Sequence, residues 1–94
     1  MTWTLVYTTS AARAIKRLDP TVRRRLLAAL GKLCGEPERG KPLLLTLRGL
    51  RSLRTGDYRI VYRVIESRVE ILVVAVGHRR DVYARVRKLL DARR

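Results

Sequence analysis

The chain has 94 residues and a formal net charge of +14, and hydrophobic residues make up 47% of it. This composition excludes a disordered chain, and no apolar run approaches the roughly 20 residues that a membrane-spanning helix needs. The single cysteine, Cys34, excludes an internal disulfide, which is typical of a reducing compartment. At this length we expect one domain, over residues 1–94. Because the N-terminus also lacks the features of a signal peptide, we expect the protein in the cytoplasm.

Arginine supplies most of the positive charge, with 18 residues against four lysines. A guanidinium is a planar fork of donors that matches a phosphate group, whereas an ammonium acts as a point charge. Self-repulsion at such a net charge also destabilises a compact fold. The composition therefore favours a polyanionic or strongly acidic partner over a merely solvated basic surface.

The first part of the chain predicts one strand followed by two helices. Residues 3–7 are rich in β-branched and aromatic side chains, as strands are. Ser10 is the expected N-cap of a first amphipathic helix, and Asp19 followed by Pro20 is a strong start signal for a second. Each helix has an apolar side but is too small to form a core alone, so we expect a helix hairpin packed on a sheet.

The rest of the chain predicts a mainly antiparallel sheet and a last helix. Residues 36–42 read as a loop, and residues 43–50 as either a buried strand or an extended approach to one. Three segments with short turns between them have strand composition: 50–55, 58–65 and 69–76. A short helix over 81–90 follows. The expected fold is α+β in the order β-α-α-β-β-β-α, with a four-stranded sheet.

Side-chain alternation separates two faces of this sheet. The even-numbered residues from Tyr58 to Val64 form an apolar face, which should pack on the helix hairpin. Arg59 and Arg63 belong to the opposite face, which must be at least partly open because unpaired guanidiniums are costly to bury. Arg54, on the preceding strand, should join them. The sequence thus predicts an open and basic sheet face.

Two motifs carry the most specific signal in the chain. They are LRTGDYRIVY over residues 53–62 and GHRRDVY over residues 77–83. Together with the order of the predicted elements, they resemble the RelE branch of the RelE/ParE toxin superfamily over nearly the whole chain. Members of this branch are toxins that cut messenger RNA in the ribosomal A site and are inhibited by an acidic antitoxin. The resemblance implies the RelE fold, these partners, indirect contact with operator DNA through the toxin–antitoxin complex, and no membrane.

The chemistry of RNA cleavage without a metal gives roles to several residues. A base must take the proton of the attacking 2′-hydroxyl, an acid must serve the leaving 5′-oxygen, and cations must stabilise the added charge. By resemblance, Arg59 and Arg79 would contact the scissile phosphate and Tyr83 would transfer the proton, its phenolate favoured by nearby cations such as Arg54 and Arg80. Tyr83 could instead stack on a base or complete the core. We expect no metal or other cofactor, because ligands at metal-binding spacing are missing.

The general acid is the role that the resemblance leaves open. The best-studied relatives carry two lysines on the strand before the first arginine, and the counterparts here are Leu50 and Ser52, neither of which can replace a cation. Arg54 is the best-placed substitute. His78 is the other candidate, since an ordinary histidine exchanges its proton near neutral pH, although a lone histidine at a strand end is more often a turn residue.

The other arginines have plainer interpretations. Four of them are expected to bind the RNA backbone: Arg48, Arg51, Arg63 and Arg80. Arg59 could alternatively pair with Glu70 across a strand hairpin. Residues 23–25 are all arginine and lie on a helix, where they predict an exposed face or a contact with ribosomal RNA.

These patterns predict a ribosome-dependent messenger RNA endoribonuclease. An alternative is a ParE-like toxin that inhibits DNA gyrase by protein contact and cuts no RNA, because a shared fold does not fix function. A third possibility is an RNA-binding module without toxicity, whose binding would weaken with salt.

Overall fold

A computed structural model describes residues 2–91 of the chain. One sheet contains five strands in that range, β1 (Thr4–Tyr7), β2 (Lys41–Pro42), β3 (Arg51–Thr55), β4 (Tyr58–Ile65) and β5 (Glu70–His78). The same range contains three α-helices, α1 (Thr9–Arg17), α2 (Pro20–Leu33) and α3 (Val82–Asp91). The spatial order is β1-β5-β4-β3-β2, in which β1 runs parallel to β5 and every other pair is antiparallel. The predicted α+β class and its mainly antiparallel sheet are confirmed.

The sheet has one strand more than the sequence predicts. Residues 41–42, expected in a loop, pair with Ser52 and Arg51 and form β2 at the sheet edge. A strand of two residues has no alternation to detect, and a proline is tolerated at an edge because it need not donate to the ladder. The ambiguous segment that follows forms a 3-10 turn at Leu45–Leu47.

The two helices of the hairpin begin at capping side chains. The cap of α1 is Thr8 and not Ser10, since the Thr8 hydroxyl accepts from the backbone N–H of Ala11 at 3.1 Å. The same hydroxyl donates to the carbonyl of Val74 at 2.7 Å, which ties the start of α1 to β5. The start of α2 is as predicted, with Asp19 accepting from the N–H of Thr21 at 3.1 Å.

Arg23 joins the two helices and is not part of an exposed arginine face. Its guanidinium donates to three carbonyls at the end of α1, those of Ile15 at 3.2 Å, Lys16 at 3.0 Å and Leu18 at 3.0 Å. The last carbonyls of a helix have no partner within the helix, so this side chain supplies one.

We expect Arg23→Ala to lower the free energy of unfolding by about 1–2 kcal/mol, because it leaves these carbonyls without their charged donor. Urea denaturation followed by circular dichroism measures the change. Arg24→Ala, which removes the same charge from an exposed neighbour, is the control and should have little effect. Equal losses for the two variants would contradict this role for Arg23.

The core consists of two apolar clusters, one on each face of the sheet. The first lies between the sheet and the helix hairpin, as predicted: Ala11, Leu26, Leu30, Leu33, Ile60, Tyr62, Ile71, Val73 and Val76. The second lies on the opposite face, beneath α3 and the 3-10 turn: Leu47, Leu50, Val61, Ala75, Val82 and Val86. The face expected to be open is therefore covered in its middle, and it is open only towards its ends.

Candidate active site

Two arginines and the backbone of a third come together at one end of the sheet face that carries the second cluster. Arg54 and Arg59 are directly opposite each other on β3 and β4, and Gly77 of β5 is the next residue across the sheet. The backbone N–H of Arg79 donates to the carbonyl of Asp57 at 2.8 Å, which fastens the turn after β5 to the β3–β4 hairpin. The structure thus brings the first and second sequence motifs together.

Backbone contacts fix the position of the Arg59 side chain. Its guanidinium donates to the carbonyl oxygens of Gly56 at 3.1 Å and Tyr58 at 3.0 Å. The alternative pairing with Glu70 is wrong, because Glu70 lies opposite Ile65 at the far end of β4. Arg59 is therefore half-buried and held in place by neutral oxygens.

The cations of this site lack carboxylate partners. Among residues 2–91 the ion pair present is Arg39 with Glu36, at 3.6 Å and away from the site. Like charges directly opposite on neighbouring strands destabilise a sheet, and Arg54 and Arg59 are such a pair. An anion bound between the arginines would remove this repulsion.

Tyr83 lies in the first turn of α3, with its hydroxyl directed to β3. Its ring is half-buried against the second cluster. The hydroxyl lies 2.9 Å from the Oγ of Ser52, a residue that is 9% exposed. Ser52 and Arg54 are two residues apart on β3 and share a face. The ring therefore completes the core while the hydroxyl is held on the face of the arginines.

His78 lies on the other face of the sheet. It is opposite Tyr58 in register, and the two rings meet edge to face with centroids 5.8 Å apart. Its Nδ1 accepts from the backbone N–H of Arg80 at 3.3 Å. The structure therefore does not bring His78 to Arg59 and Tyr83, and its contact with Arg80 is that of a turn residue.

The arginines expected to bind the RNA backbone lie in different surroundings. Arg51 points to the helix side, where it donates to the carbonyls of Glu38 at 3.2 Å and Gly40 at 2.7 Å. The other three are exposed: Arg48 after the 3-10 turn, Arg63 towards the far end of β4, and Arg80 before α3. Arg51 therefore holds the backbone of the preceding loop, whereas the others are open to solvent.

Comparison with known proteins identifies the family. The family model described as the ParE toxin of the type II toxin–antitoxin system parDE matches residues 5–83. The chain belongs to this toxin family. Toxin RelG of Mycobacterium tuberculosis is 38% identical over 87 residues, which are 90% of this chain and 100% of that protein. The mRNA interferase toxin RelE of Escherichia coli K12 is 30% identical over 92 residues, with 89% and 93% covered.

A solved structure supports the same assignment. The toxin–antitoxin complex RelBE2 of Mycobacterium tuberculosis contains a chain that matches with a TM-score of 0.77 at 34% identity, covering 83% of this chain and 99% of that one. The resemblance to the RelE branch, inferred from the two motifs, is confirmed.

Ser52 is the residue of the toxin's candidate site whose importance the sequence pattern does not reveal. As the counterpart of a lysine it cannot supply a charge, so the sequence gives it no role. Alternation places it on the face of Arg54, but the contact with Tyr83 depends on how α3 crosses the sheet. No local pattern predicts that crossing.

Two other kinds of site are not seen in the part of the toxin that the structure describes. Within residues 2–91 no helix combines the length and the apolar character that crossing a membrane requires. No three histidine, cysteine, aspartate or glutamate side chains of this range come close enough to hold a metal ion. The absence of a metal from the mechanism stays a prediction.

Proposed function

We propose that the protein is a ribosome-dependent endoribonuclease that cuts messenger RNA and so inhibits translation. The observation that carries this proposal is that Arg54, Arg59 and the Tyr83 hydroxyl, which contacts Ser52, lie on one sheet face, while the backbone of Arg79 is bonded to the β3–β4 hairpin. Cations without carboxylates beside a positioned hydroxyl suit a phosphate that gains charge during reaction. A relative named mRNA interferase toxin RelE supports the same substrate.

The proposed reaction needs no group from outside the chain except water. The ribose 2′-oxygen forms a bond to the neighbouring phosphorus and the bond to the 5′-oxygen breaks, which leaves a 2′,3′-cyclic phosphate and a 5′-hydroxyl. Tyr83 takes the proton of the 2′-hydroxyl as its own phenolic proton passes to water. Arg59 and Arg79 stabilise the charge that develops on the non-bridging oxygens.

Arg54 contributes charge and not a proton. A guanidinium stays protonated at any physiological pH, so it is a poor general acid. Its place opposite Arg59 lets it neutralise the leaving 5′-oxygen, while water supplies the proton. His78, on the other face, takes no part in this step.

The partners follow from charge and from the relatives. A chain of net charge +14, in which the arginines of the candidate site form no ion pair within residues 2–91, suits an acidic antitoxin, which would cover the basic face with a helix or an extended segment. The structural relative RelBE2 is a toxin–antitoxin complex. The complex would contact operator DNA through the antitoxin, and the free toxin would act on ribosomes and messenger RNA in the cytoplasm.

One observation favours a second function. The matching family model is described as the ParE toxin of parDE. A ParE-like inhibitor of DNA gyrase is the alternative function inferred from the sequence. A gyrase inhibitor that acts by protein contact has no need of the Tyr83 hydroxyl. The two functions therefore differ in their response to Tyr83→Phe.

Expression of the wild type and of Tyr83→Phe in bacterial cells tests the proposal. We expect the wild type to arrest growth and to cut a translated message, and Tyr83→Phe to do neither, with cleavage followed by primer extension. The same message without its start codon should stay uncut if the ribosome is needed. Normal cleavage by Tyr83→Phe would contradict the assigned site, and growth arrest with DNA damage but intact messages would select the gyrase inhibitor.

We expect Ser52→Ala to lower the cleavage rate by roughly 2- to 10-fold, the effect of losing one hydrogen bond of about 0.5–1.5 kcal/mol. Ser52→Thr retains the hydroxyl and is the control. Because Tyr83→Phe is expected not to cleave, the coupling is read from the free energy of unfolding: in a Tyr83→Phe background, Ser52→Ala should lower it less than in the wild type, since the two side chains act through one contact. Additive losses in the double variant would contradict this positioning role.

A further inference from the structure

A second basic cleft lies on the opposite side of the sheet from the candidate active site. It is an open cleft of about 600 Å³ between α1, the end of β5 and α3. Arg13 and Arg17 line it from α1, Arg85 lines it from α3, and Tyr58 and His78 line it from the sheet. None of these side chains has a role in the proposed cleavage.

The cations of this cleft favour an anionic ligand. Arg13 and Arg17 are one helical turn apart, where like charges repel each other. Arg85 is fixed by its bond to the carbonyl of Val76 at 3.1 Å. Asp81 is the carboxylate among the lining residues, and within residues 2–91 it forms no ion pair with any of the three arginines. A phosphate would therefore meet an excess of positive charge.

The aromatic side of the cleft favours a nucleobase beside that phosphate. Tyr58 and His78 are both half-buried and meet edge to face, so a ring surface remains open to the cleft. Since Nδ1 of His78 accepts from the N–H of Arg80, the neutral imidazole carries its proton on Nε2, which can donate. Aromatic rings beside a basic groove are the combination that binds single-stranded nucleic acid.

We propose that this cleft binds one nucleotide of single-stranded RNA, with its phosphate on Arg13 and Arg17 and its base against Tyr58 and His78. The site is distinct from the cleavage site and extends the proposed function by a second RNA contact. An acidic protein segment could satisfy the arginines, but it would not use the ring surface. The contact between the nucleobase and the two rings therefore distinguishes an RNA ligand from an acidic protein segment.

His78 provides a direct probe, because it is the one histidine of the chain. Its ring resonances are followed by NMR in the Tyr83→Phe variant, purified without a polyhistidine tag and titrated with a single-stranded RNA tetranucleotide. We expect a saturable shift, and about tenfold weaker binding of an abasic tetranucleotide that keeps the phosphates.

Charge variants test the phosphate contact. Arg13→Gln with Arg17→Gln should weaken binding and reduce the slope of log affinity against log salt by about one. Arg24→Gln with Arg68→Gln removes the same charge from exposed positions outside the cleft and should leave the His78 shift intact. Thermal unfolding checks that both double variants are folded.

Three outcomes would overturn the proposal. They are an unmoved His78 resonance at saturating RNA, equal affinity for the intact and abasic oligonucleotides, and displacement of RNA by a polyglutamate peptide of equal or higher affinity. Because binding is measured in a variant chosen not to cleave, the result does not depend on the cleavage proposal. The experiment can contradict RNA binding in the cleft even if the protein cleaves messenger RNA, and it can support RNA binding even if the protein does not cleave.

Discussion

Arg59→Ala is expected to lower the rate of messenger RNA cleavage by about 10²- to 10³-fold, the usual effect of removing one preoriented donor to a developing oxyanion. The carbonyls of Gly56 and Tyr58 hold the guanidinium before any ligand binds, so little reorganisation is needed during reaction. Arg59→Lys should recover little of this loss, because an ammonium on a flexible stem cannot reproduce the planar fork. Cleavage of a translated message by purified protein and ribosomes measures the rates.

The stability of the same variant separates chemistry from folding. Removal of Arg59 relieves its repulsion with Arg54 across the strand pair, which offsets the loss of its bonds to the Gly56 and Tyr58 carbonyls, so the free energy of unfolding should change by less than about 1 kcal/mol. Arg63→Ala is the matched control, since it removes an exposed arginine from the same strand and the same face. Similar rate losses for Arg59→Ala and Arg63→Ala would mean that the face supplies only general positive charge.

Gly40→Ala is expected to lower the free energy of unfolding by about 3 kcal/mol, a large part of the roughly 5–15 kcal/mol that stabilises a small domain. A Cβ at Gly40 would lie 2.5 Å from the hydroxyl oxygen of Tyr62 and 2.7 Å from its Cε1. The Tyr62 ring is completely buried and cannot move away. The substitution therefore forces the loop off the sheet.

A chain of hydrogen bonds would be lost with that displacement. The N–H of Gly40 donates to the Tyr62 hydroxyl at 2.8 Å, and this hydroxyl donates to the carbonyl of Pro37 at 2.7 Å. Burial raises the pKa of Tyr62, so at neutral pH its hydroxyl stays protonated and can donate to the Pro37 carbonyl. Urea denaturation measures the loss of stability.

Gly31→Ala is the control for Gly40→Ala. Gly31 lies inside α2 with open space where the Cβ of an alanine would lie, so this substitution should stabilise the protein by about 1 kcal/mol through helix propensity. A Gly40→Ala protein as stable as the wild type would contradict the close packing of this loop on Tyr62.

Local patterns were sufficient to predict four of the five strands within residues 2–91 and the two faces of β4. The bounds of β4 are those predicted, because alternation extends over eight residues and turns flank it on both sides. The sequence did not predict as well which helix packs on each face of the sheet. The apolar positions Val82 and Val86 predicted a helix, but they did not reveal that it covers Val61 on the face of Arg59.

The position of His78 illustrates a limit of reasoning from alternation. The β4–β5 register shifts by one residue between Val61 and Tyr62, and the residue left unpaired is Val74. A one-residue shift exchanges the faces of every later residue in the strand. Without this bulge, His78 would share a face with Arg59. No residue type in β5 marks the bulge, so the sequence does not reveal that His78 lies on the face away from Arg59.

A translated message with a single 2′-deoxynucleotide at the cleavage position gives the most direct test of the proposed chemistry. With ribosomes and the purified toxin, we predict that the all-ribose message is cut and leaves 2′,3′-cyclic phosphate and 5′-hydroxyl ends. The message with the 2′-deoxynucleotide should stay intact at that position, because the attacking oxygen is missing. Cleavage of both messages at the same rate would contradict attack by the 2′-hydroxyl and with it the role of Tyr83.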